Sequence, residues 1–138
     1  MDKDNGIPPG DGILVVDDEP GLRKIVARRL KRSGYNVIEA EDGPAAESIW
    51  SGCSEKIKLL LTDLRMPSGF NGIELARRLQ AQQPELKVLF MTGYSDDLLE
   101  SGRHLVEDLD FVCKPFGMGE LIDVIQNRLT SENRPLYC

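Results

Sequence analysis

Histidine is nearly missing from this chain. The one example, His104, has no Cys or acidic array around it of the kind a transition-metal site needs, and it reads as an ordinary surface residue. Cysteine is scarce as well. Cys53, Cys113 and Cys138 are odd in number and scattered, which excludes both a disulfide framework and a zinc motif. A reducing, cytoplasmic setting fits them best. No apolar run approaches the length of a membrane span. The opening "MDKDNGIPPGDG" lacks the apolar core of a secretory signal. An excess of positive charge is absent too. With 17 basic and 23 acidic side chains the net charge is −6, which argues against direct nucleic-acid binding by the chain as a whole. Neither GxGxxG nor GxxxxGK[ST] follows the first apolar run, so nucleotide binding is disfavoured.

What remains is a chain of 138 residues, 41% hydrophobic, which is one ordinary domain with enough apolar surface for a core. Residues 1–11 and 131–138 read as tails around a domain spanning 12–130. Within it, short apolar runs alternate with longer amphipathic ones. "ILVV" (13–16) is too short for a helix and reads as a strand. The stretch 20–34 reads as a helix, with Pro20 in its first turn, Leu22, Ile25, Val26 and Leu30 inward, and Gly34 as its stop. Strands follow at 35–40, 57–63, 87–92 and 110–114. Helices are expected at 43–52 (Ala46, Ile49 and Trp50 inward), 71–84 (Ile73, Ala76, Leu79), weakly at about 95–106, and at 117–129 (Met118, Leu121, Ile122, Ile125, Leu129). The continuously apolar "IKLLLTD" has the pattern of a strand covered on both faces. This is an α/β chain of (βα)5 form, a doubly wound parallel sheet with helices on both sides.

In such sheets function gathers at the carboxyl ends of the strands. Here those ends carry Asp17-Asp18-Glu19, Glu39-Ala40-Glu41, Asp63, Thr92 and Lys114-Pro115. Taken singly, each is a solvated loop residue as readily as a functional one. Jointly they aim three or four carboxylates, a hydroxyl and an ammonium at one rim. Crowded carboxylates repel one another, and a divalent cation relieves that. Oxygen-only ligands favour Mg²⁺. Mg²⁺ readily shares a phosphate, so a phosphoryl group is the natural guest. Asp63 would be its nucleophile, Lys114 and the metal would neutralise charge on the transferring group, and Thr92 would donate a hydrogen bond to it.

"VVDDE" (15–19), "LLTDLRMP" (60–67), "FMTGYSD" (90–96) and "FVCKPF" (111–116) together resemble the receiver domain of two-component response regulators, over about residues 12–130. The resemblance implies a flavodoxin-like, five-stranded parallel sheet of order 2-1-3-4-5. It implies that Asp63 is the phosphoacceptor, that Asp17 and Asp18 hold Mg²⁺ with Asp63 and the Arg65 backbone carbonyl, and that Lys114 binds the phosphoryl group. Thr92 and Phe111 become the switch pair, with a shift of packing around residues 94–125 as the output. Arg65 and Tyr94 would border the path of a hydrolytic water and tune the life of the signal. The Lys114-Pro115 bond is expected to be cis. The implied partner is a sensor histidine kinase or a histidine phosphotransfer protein. Phosphorylation-dependent self-association is allowed, and no membrane contact is expected. "TGYSD" and "KPF" lean towards receivers fused to hybrid sensor kinases. The segment "MPSGFNG" departs from the pattern, being one residue longer than usual up to Gly72.

Rival readings are an Mg²⁺-dependent phosphatase of haloacid dehalogenase type and a pseudo-receiver that binds partners without phosphorylation. The phosphatase wants a second Asp two residues after the nucleophile, where this chain has Arg65. The pseudo-receiver is disfavoured because every reactive residue is present. An enzyme acting on other molecules is therefore not expected, and no output domain is evident. The basic residues Arg23, Lys24, Arg28, Arg29, Lys31 and Arg32 on the first helix are either a solvated face or a docking surface for a phosphohistidine helix bundle.

Overall fold

The computed structural model describes residues 12–53, 56–64, 71–92, 110–113 and 117–130, with 92, 110–113, 128 and 130 described by their backbone. Five strands, β1 (Gly12–Val16), β2 (Asn36–Ala40), β3 (Ile57–Asp63), β4 (Lys87–Thr92) and β5 (Asp110–Cys113), are interleaved with four described helices. These are α1 (Pro20–Arg32), α2 (Gly43–Cys53), α3 (Gly72–Gln82) and α4 (Met118–Thr130). The sheet runs β2-β1-β3-β4-β5 and every pairing is parallel. This is the flavodoxin-like α/β class. The helix expected near 95–106 lies outside the described residues.

Strand periodicity divides the core into two layers. Side chains of a strand alternate between faces. Ile13, Val15, Leu59, Leu61, Leu89 and Met91 therefore pack beneath α1 and α4, against Val26, Leu30, Leu121, Val124 and Ile125. Leu14, Val16, Leu60, Val88 and Phe90 face the other way, onto Ala46 and Trp50 of α2 and Leu75, Ala76 and Leu79 of α3. All five residues of β1 are buried, as a strand flanked by neighbours and covered on both faces must be. β2 lies at the edge of the sheet and is only partly buried up to Ala40.

The starts of α1 and α3 differ in how they are closed. Asn71 caps α3, its side-chain oxygen accepting from the Glu74 N–H at 2.9 Å. Glu19 precedes α1 and makes no side-chain cap; Pro20 at the first turn removes one donor that would have needed one. Beyond α1, Gly34 takes φ 104°, a left-handed conformation that only glycine adopts without strain.

One expectation about α1 is corrected. Ile25 is 56% exposed. The inward stripe runs instead through Val26, Ala27 and Leu30, with Leu22 partly buried at its margin. Ile25 and Val26 are about 100° apart on a helix. Once Val26, Ala27 and Leu30 face the sheet, Ile25 is rotated outward.

Candidate functional site

Register brings the acidic residues together. Val16 at the end of β1 stands level with Ala40 of β2 and Thr62 of β3. The next residues, Asp17 and Asp63, therefore reach the rim side by side. The Asp17 N–H extends the ladder one step further, donating to the Ala40 carbonyl at 3.2 Å. Asp17, Asp18 and Asp63 each offer a carboxylate oxygen, and these oxygens lie within 4.8 Å of one another. Asp17 is fully buried, Asp63 is half-buried and Asp18 is exposed.

Several groups hold this cluster in shape. The Asp17 Oδ1 accepts from the Glu19 N–H at 2.9 Å, which fixes the turn between β1 and α1. Arg23 reaches back from α1, and its Nη1 donates to the Asp17 carbonyl at 2.8 Å. The Arg23 Nε donates to Glu39 Oε1 at 3.1 Å, and Lys24 Nζ lies 3.7 Å from the same oxygen. Glu39 is thus turned towards α1, and the cluster among the described residues holds three carboxylates.

Asp63 is braced from behind. The Thr62 hydroxyl, fully buried, donates to the Asp63 carbonyl at 3.0 Å. The Leu64 N–H donates to the Met91 carbonyl at 3.0 Å and the Gly72 N–H to the Leu64 carbonyl at 3.1 Å. Gly72 sits so close that a Cβ there would run into the Asp63 carbonyl oxygen. The start of α3 and the end of β3 are therefore in backbone contact, which only glycine permits.

The donor set suits a hard cation. All three groups are carboxylates, and they range from buried to exposed, so one side of the cluster opens to water. That combination fits Mg²⁺, which takes oxygen ligands and keeps waters of its own. Asp17, Asp18 and Asp63 are the residues that would hold it. A cation would also offset the cost of a fully buried carboxylate such as Asp17 beside two others.

On the neighbouring strands, Asp63 pairs in register with Met91, and Thr92 with Cys113. The Thr92 backbone thus follows Met91 at the same rim, and Phe111 stands level with Phe90. The side chains of Thr92 and Phe111, and all of Arg65, Tyr94 and Lys114, lie outside the described residues. Three supporting residues escaped the sequence reading. In the sequence Arg23 is one of six cations on α1, yet its side chain is only 13% exposed. Its position three and four residues before the buried Val26 and Ala27 was the available signal. Thr62 was legible as a polar residue inside an apolar run. Gly72 drew notice for its spacing alone, and its contact with Asp63 is tertiary.

Comparison with known proteins agrees with this arrangement. The family model "Response regulator receiver domain" matches residues 13–126. The response regulator receiver protein CpdR of Brucella abortus is 33% identical over 85% of this chain and 95% of its own length. The C4-dicarboxylate transport transcriptional regulatory protein DctD of Pseudomonas aeruginosa is 32% identical over 90% of this chain, which spans 27% of that longer protein. Among solved structures, the receiver domain of the hybrid histidine kinase CckA superposes with a TM-score of 0.71 at 30% identity, over 86% of this chain and 98% of that one. The matched span, the parallel sheet and the acidic rim all lead to one assignment: the chain belongs to the response regulator receiver domain family.

Proposed function

We propose that Asp63 accepts the phosphoryl group that defines receivers in two-component signalling, with Asp17 and Asp18 completing an Mg²⁺ site. The observation that carries this reading is the convergence of three carboxylates from the ends of β1 and β3 within 4.8 Å. An Asp63 carboxylate oxygen attacks the phosphorus of a phosphohistidine. The P–O bond forms, the P–N bond breaks, and the imidazole leaves and takes up a proton. Mg²⁺, when bound, neutralises the carboxylates and the charge on the phosphoryl oxygens. Arg23 and the Glu19 N–H hold Asp17 in place, while Thr62 and Gly72 hold the Asp63 backbone.

The remaining roles belong to the same reading. Lys114 binds the phosphoryl group, and the Arg65 carbonyl serves as a further metal ligand. Thr92 and Phe111 form the switch, and Arg65 and Tyr94 slow hydrolysis. The domain runs over 12–130. The donor is a sensor histidine kinase or histidine phosphotransfer protein in the cytoplasm. Its docking surface includes exposed Ile25 beside Arg29, an apolar centre with a basic neighbour. Among the described residues no helix is long and apolar enough to cross a membrane.

The test is incubation with acetyl phosphate and Mg²⁺, read by intact mass. One hydroxylamine-labile phosphoryl group is expected. Asp63→Asn abolishes it, Asp18→Ala weakens it strongly, and chelation suppresses it. Uptake by the Asp63→Asn protein at an undiminished level would overturn the assignment.

A further inference from the structure

The basic residues of α1 divide into two sets. Arg23 is turned inward to the acidic rim. Lys24, Arg28, Lys31 and Arg32 follow at spacings of four, three and one residues, which place them along one side of the helix. Together with Ala27 and Glu39 they line a cavity of about 390 Å³ between α1 and β2. Ala27 is buried and small, and that leaves the space. The single acid of the lining, Glu39, is already engaged by Arg23 and Lys24. Among the described residues no ion pair engages Arg28, Lys31 or Arg32. The helix itself, Pro20–Arg32, contains no Asp or Glu. The groove thus carries a clear surplus of positive charge on a chain whose net charge is −6.

The far wall of the groove is a sheet edge. β2 pairs with β1, and among the described residues no strand pairs with its outer side. Val37 of β2 packs into the layer beneath α1, and Ile38 into the opposite layer. Glu39 therefore shares the α1 side with Val37, as strand alternation requires. A further strand laid beside β2 would direct every second side chain to that same side, towards Lys24, Arg28, Lys31 and Arg32. A free phosphate would satisfy the cations and leave the strand edge unused. An extended peptide with acidic side chains at alternate positions satisfies both.

We propose that the α1–β2 groove is a docking site for an acidic segment of a partner protein, bound in extended form along the outer edge of β2. The site is separate from the acidic rim and does not depend on phosphoryl transfer there. Its ligand class follows from charge complementarity together with an unpaired edge. The competing role for such cations is to guard the edge against strand addition, and that role predicts no binding.

The experiment uses the full chain and an eight-residue peptide of alternating glutamate and threonine, followed by amide chemical shifts and hydrogen exchange. Binding is expected to shift amides in 24–32 and 36–40 and to slow exchange in 36–40. Arg28→Glu combined with Lys31→Glu should weaken binding at least about tenfold. The same variant should keep the wild-type melting temperature and the wild-type rate of labelling by acetyl phosphate. A peptide of equal charge with proline at every second position should fail to bind. Three results would overturn the proposal. The first is no binding. The second is equal binding of the proline peptide. The third is competition by inorganic tripolyphosphate with no exchange protection in 36–40, which would mark a simple anion site.

Discussion

α1 and α3 both begin just past a strand that carries rim carboxylates, yet they are held by different means. α3 is capped at its start and carries ion pairs along its surface. Asn71 caps it, and Arg78 pairs with Glu74 of the same helix at 3.2 Å and with Glu47 of α2 at 3.3 Å. α1 has no side-chain cap. Its first turn is tied instead to the site by Arg23, through the Asp17 carbonyl and Glu39, while among the described residues no ion pair engages its outer cations Arg28, Lys31 and Arg32. α3 thus touches the site through backbone, and α1 through a charged side chain. Steric change should therefore damage one junction, and loss of hydrogen bonding the other.

Glycine substitutions separate the two most sharply. Gly72→Ala forces a Cβ against the Asp63 carbonyl, so a loss of more than about 3 kcal/mol, or failure to fold, is expected. Gly21→Ala in α1 meets nothing within 4 Å and should raise stability by about 0.5 kcal/mol. Urea melts of both variants measure this, and similar effects at the two sites would erase the contrast.

The next largest effect is expected at Arg23. Arg23→Gln removes a charged donor from Asp17 and from Glu39 and should cost about 1.5–3 kcal/mol. It should also raise the Mg²⁺ concentration needed for half-maximal labelling by acetyl phosphate. Arg29→Gln, on the exposed side of α1, should change neither. An unchanged Mg²⁺ requirement in Arg23→Gln would reduce that residue to a brace of the fold.

Capping provides the finest distinction. Asn71→Ala should cost about 1 kcal/mol, whereas Glu19→Ala should stay within about 0.5 kcal/mol because its side chain caps nothing. Thermal melts suffice to tell them apart.

Much of this was legible in the chain itself. The apolar runs at 13–16, 57–63 and 87–92 announced buried strands, and each switches abruptly to polar residues at one rim. The strand order implied by the receiver resemblance sets β1 beside β3, and with it Asp17, Asp18 and Asp63 come together. Trp50, Ala46 and Leu79 were readable as inward by helical spacing. Ile25 was not, because adjacent Ile25 and Val26 both invite burial and the choice depends on how α1 is rolled on the sheet. Leu75 and Val124, both buried, were passed over for the same reason: wide apolar faces are hard to bound by spacing alone. The pairing of Arg23 with Glu39 is not legible, because it joins a helix to an edge strand across sixteen residues, and charge alone does not foretell its partner.

Trp50 has a consequence of a different kind. It is the only tryptophan of the chain, is 1% exposed, and its indole N–H donates to Gln82 Oε1 at 3.1 Å. Intrinsic fluorescence excited in the indole band therefore comes from one site, shielded from water between α2 and α3. The emission should be blue-shifted in the folded chain and move red on unfolding. It reads the α2–α3 layer and is silent towards ligands that occupy the opposite face, including the groove beside α1. A quenching titration against that groove would need a label placed elsewhere, and the native signal would serve as its internal control for folding.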